Sequence, residues 1–188
     1  DFDDEKLGDR YLMMRTPPED KWWKTANGML TLSSTGSTIY EPNQPAFTGI
    51  RQQHLTFSAQ IKMDYLPDNE GDIAGLVCYQ REKHNFVFGK TIDRNGKYYL
   101  VLKRAEGDVK TIAKTEIPDG TARKAVTLKV EGKKDEYSFL YSFDDGESWE
   151  TIAENVDAKN LSTQSAGGFT GTITVSYTHL RAHETRRH

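Results

Sequence analysis

The sequence predicts an all-β fold, a single domain built as an antiparallel two-sheet sandwich. Three observations carry this. Leu55, Phe57, Ala59, Ile61, Met63 and Tyr65 are apolar or aromatic, while His54, Thr56, Ser58, Gln60, Lys62 and Asp64 are polar. A period of two over that length marks a long strand with one buried face, since an amphipathic helix repeats at three and four residues. Short apolar runs alternate with turn signals about every eight to twelve residues, as in many-stranded sandwiches. Finally, 36% hydrophobic residues with 11% aromatics suit sheets that keep one face wet.

In chain order, Asp1 to Gly8 is an acidic lead-in and Tyr11-Leu12-Met13-Met14 is a first candidate strand. Trp22-Trp23 follow Pro17-Pro18 and open a new element, because proline ends the old one. Asn27-Gly28 predicts a tight turn into Met29-Leu30-Thr31-Leu32. Pro42 and Pro45 bracket a loop that delivers the chain to Phe47–His54 and on into the alternating strand. Its polar start, Arg51, Gln52, Gln53 and His54, asks for a reason beyond packing. Pro67 to Asp72 is a turn before the run Ile73 to Tyr79. Strands are then expected at residues 85–89, 97–103, 110–117, 125–130 and 136–143, with hairpin signals at Asn95-Gly96 and Asp145-Gly146. Pattern is lost after Thr172-Ile173-Thr174-Val175. Ser176 to His188 is polar, and it resembles a translated sequencing adapter. The expected domain therefore spans residues 1–175, truncated at its last strand, with 176–188 a non-native disordered tail.

A net charge of −3 without a basic stripe gives no nucleic-acid footprint, and no apolar run has membrane-spanning length. Cys78 is the only cysteine and sits in an apolar run, which reads as a small buried hydrophobe. With no disulfide framework the compartment is undetermined. The acidic start has no leader-peptide pattern, so any export signal lies outside this chain.

Carboxylates cluster in turns, not at spaced positions on one strand. A sandwich glycosidase needs two carboxylates facing one cleft, and this spacing is missing, so no catalytic residue is assigned. Asp68, Glu70 and Asp72 have the alternation of a calcium loop but lack its closing glutamate. A solvated turn is the plainer reading, no cofactor is expected, and calcium stays the one candidate. His179, His183 and His188 have no partner carboxylate or cysteine arrangement for a metal. Trp22, Trp23 and Tyr98, with Tyr40 and Tyr99, are candidate sugar platforms, since aromatic faces stack on apolar sugar faces. Arg51, Gln52, Gln53 and His54 form either a buried network pinning loop to strand or a contact with a partner. Gly167-Gly168-Phe169-Thr170-Gly171 frames one aromatic in a permissive loop, so Phe169 either plugs the sandwich end or projects from it.

Phe47-Thr48-Gly49-Ile50-Arg51-Gln52-Gln53-His54 resembles the Arg-Gln-Gln-His signature of the C-terminal β-sandwich of glycoside hydrolase family 43, the β-xylosidase and α-L-arabinofuranosidase group. Asp1-Phe2-Asp3-Asp4, Ala74-Gly75-Leu76-Val77, Tyr141-Ser142 to Trp149, and Leu161-Ser162 with Gly168-Phe169-Thr170-Gly171 are similar to it in the same order. The resemblance implies a concanavalin A-like jelly roll behind an N-terminal five-bladed propeller that holds the inverting catalytic acids. The partners it implies are that propeller and a xylo-oligosaccharide or arabinoxylan substrate. By the same resemblance Phe169 matches an aromatic at the rim of the propeller's pocket. Ile50 stands where the family usually has a first arginine. A sugar-binding module using exposed aromatics, or a lectin-like or structural sandwich, are the alternatives.

Overall fold

The computed structural model describes residues 11–15, 22–166 and 172–179. Among them, strands form two main antiparallel sheets and one small hairpin. The larger sheet runs, in spatial order, β1 (Leu12–Met13), β4 (Ala46–Arg51), β13 (Ile173–His179), β6 (Ile73–Arg81), β7 (His84–Ile92), β8 (Tyr98–Glu106) and β9 (Asp108–Ile117). The smaller is β12 (Glu150–Asp157), β11 (Glu136–Ser142), β10 (Val126–Lys133) and β5 (Thr56–Met63). The all-β antiparallel sandwich expected from alternation is the observed fold. Asn27 and Gly28 take φ of 54° and 72° between β2 (Trp23–Ala26) and β3 (Met29–Leu32), as a two-residue hairpin turn requires.

Period-two patterning places the core. Leu76, Phe86, Phe88, Leu100 and Leu102 of the larger sheet meet Leu128, Val130 and Phe139 of the smaller, each worth about 1.5–3 kcal/mol of burial. Cys78 lies in the same layer. The opposite face of the larger sheet is not wet, contrary to expectation. Phe47, Val77, Tyr79, Val87 and Val101 point there, and Met14 and Ile39 cover them. This explains why Ile73 to Gln80 is buried without a break. A strand covered on both sides shows no alternation.

Three expectations are corrected. The stretch from Phe47 to Tyr65 is two strands in different sheets, β4 and β5, joined by a crossover at residues 52–55. Leu55, assigned to the buried ribbon, is 72% exposed because the chain is changing sheets there. The strands expected from alternation stop at residue 143 before this point, yet the Asp145-Gly146 hairpin returns as β12; its partner β11 imposes register shifts, and Asn155 takes φ of 51°, so its alternation is blurred. Lastly, the boundary at Val175 is too early. β13 continues through Ser176, Tyr177 and Thr178 to His179, paired with β4 on one side and β6 on the other. Two flanking strands satisfy its amides and carbonyls, which favours extension over a free tail, and β13 is interior, so no open edge arises there. Residues 180–188 lie outside the described part.

The topology gives the sandwich two unlike ends. One, the crossover end, carries residues 52–55, the β6–β7 and β8–β9 turns, the β10–β11 turn and the segment after β12. The other, the turn end, carries residues 64–72, 93–97, 118–125 and 143–149.

Candidate functional site

Crossing between sheets leaves backbone groups without ladder partners, and Gln52 supplies them. Its amide N–H donates to the Thr172 carbonyl at 2.9 Å, at the foot of β13. Its side-chain Nε2 donates to the His54 carbonyl at 2.9 Å, and its Oε1 accepts from Tyr137 Oη at 3.1 Å. Tyr137 is buried among Phe57 and Phe86, with ring centroids 5.2 Å and 6.4 Å away, and burial pushes its phenol pKa up. Phe57 reaches it by lying over Gly132, where an added Cβ would stand 2.1 Å from the Phe57 ring. The sequence thus needs glycine at 132 for the ring pair that seats Gln52.

The segment following β12 is held at both feet. A 3₁₀ turn, Lys159–Leu161, buries Asn160 and Leu161. Asn160 Nδ2 donates to the Ala105 carbonyl at 3.1 Å, and His84 Nδ1 donates to the Asn160 carbonyl at 3.0 Å. A one-turn helix, α2 (Thr163–Ala166), follows. The other foot is Thr172, whose Oγ1 lies 3.5 Å from the Leu161 carbonyl and whose own carbonyl accepts from Gln52. Phe169, the proposed rim aromatic, lies outside the described residues.

Of the signature residues, only Gln52 enters a network of the expected kind. Arg51, Gln53 and His54 are exposed, which departs from the buried reading. Those three point outward, while the crossover is tied down by the Gln52 side chain and by the Leu55 carbonyl, which accepts from Lys134 N.

The candidate sugar platforms fare differently. Trp22 is 6% exposed and cannot offer a ring face. Trp23 is half-buried, and Tyr98 packs against the inter-sheet core. Tyr40 and Tyr99 pack on the second core, with the Lys114 ammonium 3.6 Å from the Tyr99 ring centre. On the smaller sheet Tyr137, Phe139 and Tyr141 point inward. Its outer rows, such as Gln60, Lys129, Leu140 and Thr151, carry no aromatic ring. Trp149 stands beside that face, with the Lys129 ammonium 4.1 Å from its ring centre.

The turn carboxylates serve their own loops. Asp72 is 1% exposed, and its Oδ2 accepts from Asn69 N at 2.9 Å and Asp68 N at 3.3 Å. Asp68 and Glu70 are exposed, and among the described residues no group of three His, Cys, Asp or Glu is placed to hold a metal ion. Asp93 accepts from Asn95 N and Lys97 N at 2.8 and 2.9 Å, which lowers its pKa, the Lys97 bond most. Asp144 accepts from the Ser148 hydroxyl, from Ser148 N at 2.9 Å and from Ser142 Oγ at 2.7 Å. Those bonds, the Ser148 hydroxyl first, hold its pKa down at about 2. Sequence reasoning missed Tyr137, Asn160 and His84, whose roles depend on contacts 55 to 85 residues away in the chain. A buried asparagine or tyrosine carries no local sign of its partner.

Comparison with known proteins fits this arrangement. Residues 1–183 match the family described as the β-xylosidase C-terminal concanavalin A-like domain. A non-reducing end α-L-arabinofuranosidase of Bacteroides ovatus is 28% identical over 94% of this chain and 32% of its own length. A putative β-xylosidase of Escherichia coli is 30% identical over 91% of this chain and 33% of its own. Among solved structures, a family 43 enzyme retrieved from capybara gut metagenome superposes with a TM-score of 0.82 at 31% identity, over 95% of this chain and 34% of that one. The Bacteroides ovatus xyloglucan PUL protein GH43B gives 0.84 at 26%, with the same coverage. The chain spans about a third of the length of the curated relatives it matches. With the match covering nearly its whole length, the chain belongs to the family of C-terminal concanavalin A-like domains of glycoside hydrolase family 43 β-xylosidases.

Proposed function

We propose that this chain is a non-catalytic accessory domain of a family 43 glycosidase acting on xylo-oligosaccharide or arabinoxylan side chains. In this reading it supports an N-terminal five-bladed propeller, where the inverting chemistry takes place, and completes that propeller's pocket. The supporting observation is the Gln52 clamp. The signature that carries the family resemblance is bonded directly to the foot of the segment containing Phe169. The described residues on either side of that segment, Leu161 and Thr172, are tied to the sandwich through Asn160 and Gln52. An apolar wall on one side of a pocket orients a terminal sugar and keeps water from the reacting bond.

The test is made in the parent enzyme. Phe169→Ala is expected to lower kcat/KM for release of a terminal xylose or arabinose by about tenfold or more, with unchanged thermal stability. Unchanged kinetics would remove Phe169 from the pocket. Sugar release by the 188-residue chain alone would overturn the accessory reading. So would its retention on xylan in affinity electrophoresis, which the sugar-binding alternative requires.

A further inference from the structure

Asn-Gly occurs twice in this chain, at Asn27-Gly28 and at Asn95-Gly96, each in a hairpin turn with the asparagine exposed. The dipeptide is chemically labile. The glycine nitrogen can attack the asparagine side-chain carbonyl carbon, since glycine has no Cβ to hinder the approach. A C–N bond forms, the bond from Cγ to Nδ2 breaks, and ammonia leaves with the proton of the glycine nitrogen. Water then opens the five-membered imide at either carbonyl. The product is aspartate, or isoaspartate in which the backbone runs through the side chain. Both carry a negative charge where asparagine had none, and water is the sole co-reactant.

The two sites are held very differently. Gly96 N donates to the Asp93 carbonyl at 3.1 Å, and the Asp93 carboxylate accepts from Asn95 N and Lys97 N at 2.8 and 2.9 Å. This turn joins β7 to β8, strands of nine residues each that are paired on both sides within the larger sheet. A committed N–H is a poor nucleophile, and freeing it means parting long, buried strands. At Asn27-Gly28 neither restraint applies. Among the described residues Gly28 N has no hydrogen-bond acceptor. β2 and β3 have four residues each, none of them buried, and they pair only with one another. A two-stranded hairpin of this kind is marginal by itself and opens at low cost. Opening matters because Asn27 and Gly28 sit at φ of 54° and 72° in a closed turn, and ring closure twists the peptide out of it.

We propose that Asn27 is a site of spontaneous deamidation through a cyclic imide with Gly28, and that the turn around Asn95 protects the second Asn-Gly from the same reaction. Isoaspartate adds a backbone carbon to a two-residue loop, so the Ala26–Met29 pairing loses its register. The modified hairpin stays open, with a new charge at its tip.

The experiment incubates the whole 188-residue chain in heavy-oxygen water at mildly alkaline pH. Peptide mapping by mass spectrometry reads the label taken up at each asparagine. Asn27 should be labelled about tenfold or more faster than Asn95, the factor that a difference of about 1.4 kcal/mol in opening gives. In urea, with both hairpins open, the two rates should converge. Asp93→Ala removes the carboxylate that caps the second turn, and should speed Asn95 while leaving Asn27 unchanged. Equal labelling in the folded chain, or faster labelling at Asn95, would overturn the proposal. A gap that persists undiminished in urea would assign the difference to flanking residues and overturn it as well.

Discussion

The two ends of the sandwich are built from the same strands, yet they handle their polar groups in opposite ways. At the turn end three loops carry an aspartate that caps them from within. Asp72, Asp93 and Asp144 each accept backbone N–H groups from within a few residues, in the manner of Asx turns. At the crossover end the bonds that pin the crossover and the segment after β12 are long-range. Tyr137 reaches Gln52 across 85 residues, His84 reaches Asn160 across 76, and Asn160 reaches Ala105 across 55. Local capping makes a surface that needs nothing further. Long-range pinning makes a surface whose shape depends on the assembled core, and it leaves Leu55 and Val109 in water.

The largest effect expected from breaking this contrast is at Tyr137. Tyr137→Ala should cost about 3–5 kcal/mol of stability, as for other large-to-small core changes, because the ring meets Phe57 and Phe86. Tyr137→Phe keeps the ring and removes only the bond to Gln52, so about 1 kcal/mol is expected. Urea denaturation measures both. Hydrogen exchange of the Gln52 amide in Tyr137→Phe tests the pinning directly, since that amide should exchange faster while those of the turn end do not change. Equal protection in both proteins would show that the crossover is held by something other than the tyrosine.

Much of this fold is legible in the chain, and the failures have physical causes. The Asn27-Gly28 and Asp145-Gly146 turns are local, and their positive φ values follow from the residues themselves. β10 and β11 face water on one side, so they alternate cleanly. The crossover is invisible because Arg51 to His54 contains no Gly or Pro, and the alternation resumes beyond it as if uninterrupted. β13 looks like a tail because its last residues are polar; its order comes from β4 and β6, which are more than 90 residues away. Of the site, the family signature could be read, whereas the Tyr137 and Asn160 clamps are properties of the folded sandwich.

A smaller effect, at the turn end, depends on pH. The Asp144 carboxylate is held at about 2 by Ser148 and Ser142, below its value in an unfolded chain of about 3.9. A lowered folded pKa means that the carboxylate's contribution is fully present above about pH 4. It is lost as pH falls through about 2, where both states are protonated. Acidification from neutral pH should therefore loosen the 143–149 turn only near the bottom of that window. NMR would show the Ser148 amide shifting with an apparent pKa near 2 and the crossover-end amides not shifting with it. A Ser148 midpoint near 4 would mean that the turn is not closed by this carboxylate.

The smallest expected effect is at Leu55, and it is diagnostic because it is small. A buried leucine exchanged for serine would lose its transfer energy and leave a cavity, for a cost of a few kcal/mol. Leu55 is 72% exposed, so most of its surface is already in water and there is little burial to lose. Its carbonyl accepts from Lys134 N at 2.8 Å, a backbone bond that serine leaves intact. Leu55→Ser in the isolated chain should change stability by no more than about 0.5 kcal/mol, measured as the urea midpoint at constant m. A loss above about 1.5 kcal/mol would place the side chain in a core that this structure does not give it. The crossover end would then be as self-contained as the turn end, and the contrast between the two would lose its physical basis.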